Sequence, residues 1–196
     1  MRTAILLTAA SLALVACNSK SDTAADATLA ASDAAVDTGA MASGMPGATD
    51  AGTAMASSDQ MFAEAAAASD MFELQSSELA KTKATTKPVK DFAAMMIADH
   101  TKSSADLKKA AMGASPAVTA TQRLTAVQQA DLDALRNATT DFDKLYAQKQ
   151  VGAHEKAKAL LSDYSATAVA GPLRDFASKT VTVVSGHLEH ARKLPQ

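Results

Sequence analysis

The sequence predicts an all-α protein: an antiparallel four-helix bundle with a short extra helix between the second and third long helices, preceded by a disordered tether. Three observations predict it. From residue 58 onward, apolar residues recur at three- and four-residue spacings, the period of an amphipathic helix. Cap patterns and Gly or Pro breaks divide that stretch into four long segments and one short one. The alternation expected of a half-buried strand occurs nowhere.

Residues 1–16 read as a secretion signal. Arg2 supplies a short basic start, and Ala4 to Val15 form an apolar run broken only by Thr8 and Ser11. That run is too short to cross a bilayer, which takes ~20 apolar residues. Leu14-Val15-Ala16-Cys17 resembles a bacterial lipobox, and the only Cys of the chain stands where lipidation needs it. The resemblance implies a diacylglycerol on the Cys17 thiol and a further acyl chain, such as palmitate, on the new N-terminus. Two or more chains make a stable anchor, so the membrane is an expected partner through Cys17. Asn18 stands where Asp marks inner-membrane retention in well-studied Gram-negative systems. By that rule the protein goes to the outer membrane, facing the periplasm. With its one Cys lipidated, the chain has none for a disulfide.

Residues 17–57 hold the lipidated Cys and the tether. The stretch is Ala, Ser, Thr, Asp and Gly, with Pro46 and five Asp against a lone Lys20. So little apolar surface does not offset the entropy of ordering. As a flexible coil it would reach ~35 Å, enough to hold a domain clear of the lipid. Met41, Met45 and Met55 are thioethers that would suit Cu(I), although low-complexity drift explains them more simply.

Residues 58–196 are the expected bundle. Ser57 and Gln60 fit a capping box that would open the first long helix, running to about Lys81 on Phe62, Ala65, Ser69, Phe72, Ser76 and Leu79. Pro88 falls in the first turn of the second, where its missing N–H costs nothing. That helix runs to about Met112 on Val89, Phe92, Met96, His100, Ser103 and Leu107, with Gly113 expected just past its end. Thr125 and Gln128 fit a second capping box, opening the short helix to about Asn137. Thr140 is then expected to cap the third long helix, Asp141 to Ala168, on Ala147, Val151, His154, Ala157, Leu161 and Tyr164. Gly171-Pro172 starts the fourth, to about Lys193, on Leu173, Phe176, Thr180, Val183, His187 and Leu194.

Composition narrows the function. The net charge of −2 argues against a nucleic-acid partner, which would want a basic face. There is no Trp and there are only five Phe and two Tyr, so Ala, Leu, Val and Met must build the core. No Ser–His–Asp or Cys–His set, phosphate-cradling loop or paired-carboxylate site stands out, so hydrolase chemistry has no foothold.

The histidines are the chemistry that remains. Of His100, His154, His187 and His190, the first three lie on inward stripes of three different helices. At ~1.5 Å per residue, His154 and His187 stand ~21 and ~24 Å from the turn joining their helices. On the other pair, His100 stands ~20 Å and Glu73 ~12 Å from the joining turn, with Asp70 and Glu64 competing for the same level. Convergence predicts imidazole nitrogens within ~4–8 Å of one another, because unsatisfied buried donors cost ~1–3 kcal/mol each. Three His and Glu73 would suit a single divalent Zn, Cu or Fe ion. A di-iron centre is not expected, because it takes Glu-x-x-His on two helices and this chain has none. The plainer alternative is a hydrogen-bonded polar network without metal.

The segments Asp59-Gln60-Met61-Phe62, Glu73, Val89-Lys90-Asp91-Phe92-Ala93, Met96, Asp99-His100, Phe142-Asp143-Lys144-Leu145-Tyr146, His154, Pro172-Leu173-Arg174-Asp175-Phe176-Ala177 and His187-Leu188 resemble the bacterial envelope proteins called domain of unknown function 4142. The resemblance runs from about residue 59 to 194. It implies a ferritin-like bundle and marks Glu73, Asp99, His100, His154 and His187 as recurring positions. Thr180-Val181-Thr182 stands where the family usually has Leu-Pro, so a kink in the last helix is not implied. The family brings no established activity. The expected role is a lipid-anchored, non-enzymatic binding or stress-related module with an unknown protein partner. The alternative is a metal-binding ferritin-like protein, with oxidase or peroxide chemistry a weaker extension of it.

Overall fold

The computed structural model describes the backbone of residues 48–195 and the side chains of residues 58–195. The expected secretion signal, Cys17 and the tether as far as residue 47, with Met41 and Met45, lie outside the described residues, as does the side chain of Met55. Five helices occur among them: α1 (Ala48–Lys83), α2 (Lys87–Gly113), α3 (Ala126–Asn137), α4 (Phe142–Thr167) and α5 (Pro172–Ala191).

Local chemistry sets most of the boundaries. Thr86 is the extended N-cap of α2, with Pro88 in its first turn. The Thr125 side chain accepts from the Gln128 N–H while Gln128 Oε1 accepts from the Thr125 N–H, the reciprocal capping box expected for α3. Pro172 opens α5 directly after Gly171.

Five expectations need correction. α1 begins at Ala48, so residues 48–57 of the expected tether are helical and the helix does not start at Ser57. Ala is the best helix former, and extending a helix already nucleated by packing needs no second nucleus. Gly113 ends α2 without a left-handed turn. Ala114, extended at φ −69 and ψ 159, is the cap, and its N–H donates to the Ala111 carbonyl. The cap of α4 is Asp141 rather than Thr140, held left-handed at φ 53; Asp is among the few side chains that tolerate this region. On α5 the buried residue is Val184, whereas Val183 is exposed, and on α1 Ala66 is buried whereas the expected Ala65 is exposed.

The long helices form a ring in the order α1, α2, α5, α4, with α3 against α1 and α4. Two apolar clusters give their directions. One holds Phe62 of α1, Leu107 of α2, Leu161 of α4 and Phe176 of α5; the other holds Ala80, Val89, Tyr146 and Ala191 of the same four helices. α1 and α5 therefore run from the first cluster to the second, and α2 and α4 run back, so every neighbouring pair in the ring is antiparallel. The link from α2 to α4 must travel the length of the bundle, and α3 lies on it. One such long crossover is the ferritin-like connectivity.

Between the clusters lies a polar layer. Asp70, Glu73, Ser76 and Ser77 of α1, His100 of α2, Gln150 and His154 of α4, and His187 of α5 are all buried.

Candidate metal centre

Each long helix delivers its polar residues to this layer on the same face that supplies the apolar clusters. His100 follows Phe92 and Met96 on α2, His154 follows Tyr146 and Ala147 on α4, and His187 follows Val184 on α5. The spacing of three, four, seven or eight residues keeps each imidazole facing inward.

The three rings meet. Centroids stand 5.8 Å apart for His100 and His154, 5.6 Å for His100 and His187, and 5.5 Å for His154 and His187. One ligand nitrogen from each lies within 4.8 Å of the others, at the close end of the sequence expectation.

The back of each ring is fastened. His100 Nδ1 donates to Asp70 Oδ1 at 2.8 Å, His154 Nδ1 to the Gln150 carbonyl at 2.8 Å, and His187 Nε2 to Asp99 Oδ2 at 2.9 Å. Carboxylate and carbonyl oxygens accept only, so in each neutral ring these bonds fix the tautomer. The lone pairs are left on His100 Nε2, His154 Nε2 and His187 Nδ1. Those three buried nitrogens have no hydrogen-bond partner among the described residues. Metal-binding histidines show this arrangement, with the far N–H held by a carboxylate or backbone carbonyl and the near nitrogen free. At a bond length of about 2.0–2.1 Å, three nitrogens around one ion stand roughly 3.5 Å apart, so the rings need close by only about 1 Å.

The sequence-expected carboxylates fall into different places. Asp70, a competitor on α1, is the one bonded to His100, and its Oδ2 also accepts from Ser104. Glu64 is exposed and occupied by Gln60. Glu73 is buried, but its Oε1 lies 3.6 Å from His154 Nδ1, on the far side of the ring from the free nitrogen. It is not in the group whose nitrogens converge; it stands behind the His154 ring. Its Oε2 has no partner among the described residues. His190 is exposed and outside the cluster. Sequence reasoning marked Asp99 without pairing it to His187, because that bond crosses from α2 to α5. It did not place Gln150 in the site, although its buried amide donates to Ser76.

Electrostatics separates two of the rings. Burial works against a charge on His100, but its bond to Asp70 and the charges of Glu73, Asp70 and Asp99 outweigh it and raise its pKa. For His187, burial together with His100 and His154 outweighs Asp99 and pushes the pKa down to about 4. His187 is therefore neutral near pH 7, the state in which an imidazole is a ligand.

The described residues thus form an all-helical bundle with three inward-facing histidines, each with one ring nitrogen that has no partner among the described residues. Residues 44–194 match the family model described as domain of unknown function (DUF4142), and the chain belongs to that family. Two solved structures are similar: CopM in the Cu(I)-bound form and CopM in the Cu(II)-bound form, at 19% and 20% identity. Each match has a TM-score of 0.59 and covers 69% of this chain and 93% of that chain. At this identity the likeness is one of fold. No curated protein matches the chain by sequence.

Proposed function

We propose that this protein is a metal-binding module of the bacterial cell envelope that takes one ion between His100, His154 and His187. The observation that carries the reading is the set of three orphaned nitrogens. Each is buried and lacks a partner among the described residues, while the opposite nitrogen of the same ring is hydrogen-bonded. A purely structural polar network would satisfy both sides of each ring. Three imidazoles suit copper and zinc, and copper stands highest in the general affinity order for such donors. The copper-bound proteins that share this fold support copper as the first ion to try. The lipid anchor at Cys17 and an outer-membrane location belong to the same reading. They rest on the lipobox resemblance and on Asn18. No helix among the described residues is long and apolar enough to cross a membrane.

Metal titration followed by thermal unfolding tests the proposal. At an ion concentration a hundred times the dissociation constant, the folded state gains ~2.7 kcal/mol. For a bundle of this size that raises the midpoint by roughly 10 °C. The response should saturate at one ion per chain and vanish in His154→Ala. Protein that takes up neither copper, zinc nor iron, and whose midpoint none of them moves, would overturn it.

A further inference from the structure

We infer that the centre discriminates by ionic charge, holding a divalent ion in preference to a monovalent one, through the carboxylates that stand behind its three imidazoles. The inference rests on the metal-binding reading above and deepens it by naming the class of ion.

Each ring has one carboxylate at its back. Asp70 is 2.8 Å from His100 Nδ1, Asp99 is 2.9 Å from His187 Nε2, and Glu73 is 3.6 Å from His154 Nδ1. Among the described residues, no Lys or Arg forms an ion pair with any of the three, although lysines and arginines pair with acidic residues elsewhere on the bundle. When the three imidazoles ligate an ion they are unprotonated, and with the three carboxylates behind them ionised the cluster carries a formal charge of −3 before the ion is counted. A buried excess of charge is costly unless an opposite charge compensates it. A dication offsets two of the three charges; a monocation offsets one.

The three carboxylates are not equivalent. Glu73 has a side chain only 2% exposed, and its Oε2 receives no hydrogen bond among the described residues. Asp70 is 7% exposed but shared between His100 and Ser104. Asp99 is 43% exposed, so water screens it. Glu73 is therefore the strongest lever and Asp99 the weakest. Neither supplies one of the converging nitrogens, so either can be neutralised with the three ligands left in place.

Coulomb energy scales with the charge of the ion. Losing a carboxylate behind a ligand typically weakens metal binding ~10–100-fold. Glu73→Gln, at the upper end, should lower Cu(II) and Zn(II) affinity ~100-fold and Cu(I) affinity only ~10-fold, the square root. The Cu(II)/Cu(I) affinity ratio then falls about tenfold, and the potential of the copper-loaded protein rises by about 59 mV. Asp99→Asn should shift it in the same direction by about half as much. Glu73→Asp restores the charge and should return the potential most of the way to the parent value.

The experiment is competitive titration of the full chain and these three variants with Cu(I), Cu(II) and Zn(II), together with the potential of each copper-loaded form. Potentials that follow the charge in the order Glu73→Gln, Asp99→Asn, parent support the inference. Equal losses for Cu(I) and Cu(II), with the potential unchanged, overturn it while leaving the metal site standing. Failure of the parent protein to bind any of the three ions overturns the site itself. If Glu73→Gln does not fold, Asp99→Asn at the half-exposed carboxylate decides the matter by its own shift.

Discussion

Around Phe62 the bundle is held by shape: its ring stacks on Tyr164 at 3.7 Å and meets Phe176 edge-on at 6.4 Å. About three helical turns away, around His154, shape matters less than pairing. That ring has one nitrogen bonded and one free, with an unsatisfied Glu73 oxygen behind it. The apolar cluster gains stability from every atom it removes from water. The polar layer removes charges and donors from water and leaves five buried side-chain atoms without a partner among the described residues. A fold selected for stability alone would fill that level with Leu and Val. Under the proposed metal-binding function, stability falls to the two clusters and binding to the layer between them.

The largest expected effect is on the stability side. Phe62→Ala should cost ~3–5 kcal/mol, because it opens a cavity among helices that cannot fully collapse. Denaturant unfolding followed by circular dichroism would measure it. Metal stoichiometry should stay at one, since none of the ligands touches that ring. If Phe62→Ala abolished metal uptake in folded protein, the separation of the two regions would break.

The complementary change is to make the layer apolar. The paired replacement Glu73→Leu with His154→Leu removes a buried acid and its neighbouring base together. Exchanging such pairs for well-packed apolar residues is often neutral or stabilising by ~1–4 kcal/mol. The metal-free variant should unfold at or above the parent midpoint and show no response to copper or zinc. A variant several degrees less stable would mean that the layer stabilises the fold, and the case for a binding role would weaken.

A third region sharpens the comparison, because its polar groups are satisfied. Asp143, in the first turn of α4, accepts from the Thr85 and Thr86 backbone N–H groups at 2.9 and 2.8 Å, and from their hydroxyls at 3.1 and 2.6 Å. It ties α4 to the turn between α1 and α2. Burial pushes its carboxyl up, but the four hydrogen bonds outweigh burial and hold its pKa below the ordinary value. Asp143→Ala should cost about 2 kcal/mol, as expected for charge-assisted hydrogen bonds. The sign of the pH dependence follows. A carboxyl with a lowered folded pKa contributes fully above its unfolded value of about 3.9, and the contribution is lost as pH falls through the folded value. The gap between parent and Asp143→Ala should therefore be flat near neutrality and close under acid. A gap that widened on acidification would contradict the assignment.

How far the sequence revealed these regions depends on whether the relevant signal was local. His100, His154 and His187 were legible because each sits on a helical stripe, and a level estimate from the turns placed them together. Glu73 was legible as a buried acid but not as a residue behind a ring, since that turns on side-chain direction. The Asp99–His187 bond and the Asp143 clamp join residues far apart in the chain, with no spacing rule to announce them. Val183 was taken for its neighbour Val184 because one residue, 100° of helix, separates the buried from the exposed side of α5. The start of α1 was misplaced because Ala-, Ser- and Thr-rich composition reads as coil, although Ala in quantity also favours helix.

That misplacement yields the smallest and cleanest test. The same pattern, a hydroxyl residue followed three positions on by Gln, occurs at Ser57–Gln60 and at Thr125–Gln128. Only the second is a cap. At Thr125 the chain enters the helix from an extended conformation, φ −72 and ψ 161, so the first N–H groups of α3 have no preceding carbonyls and the side chain supplies one. At Ser57 the backbone is already helical from Ala48, so its following N–H groups are served by carbonyls four residues earlier. Thr125→Ala should therefore cost about 1 kcal/mol. Ser57→Ala should cost nothing and gain a few tenths of a kcal/mol, because Ala outranks Ser inside a helix. Unfolding midpoints of the two variants, measured side by side, compare one sequence pattern in two backbone settings. A loss at Ser57 equal to that at Thr125 would put the start of α1 back at Ser57 and return residues 48–57 to the tether.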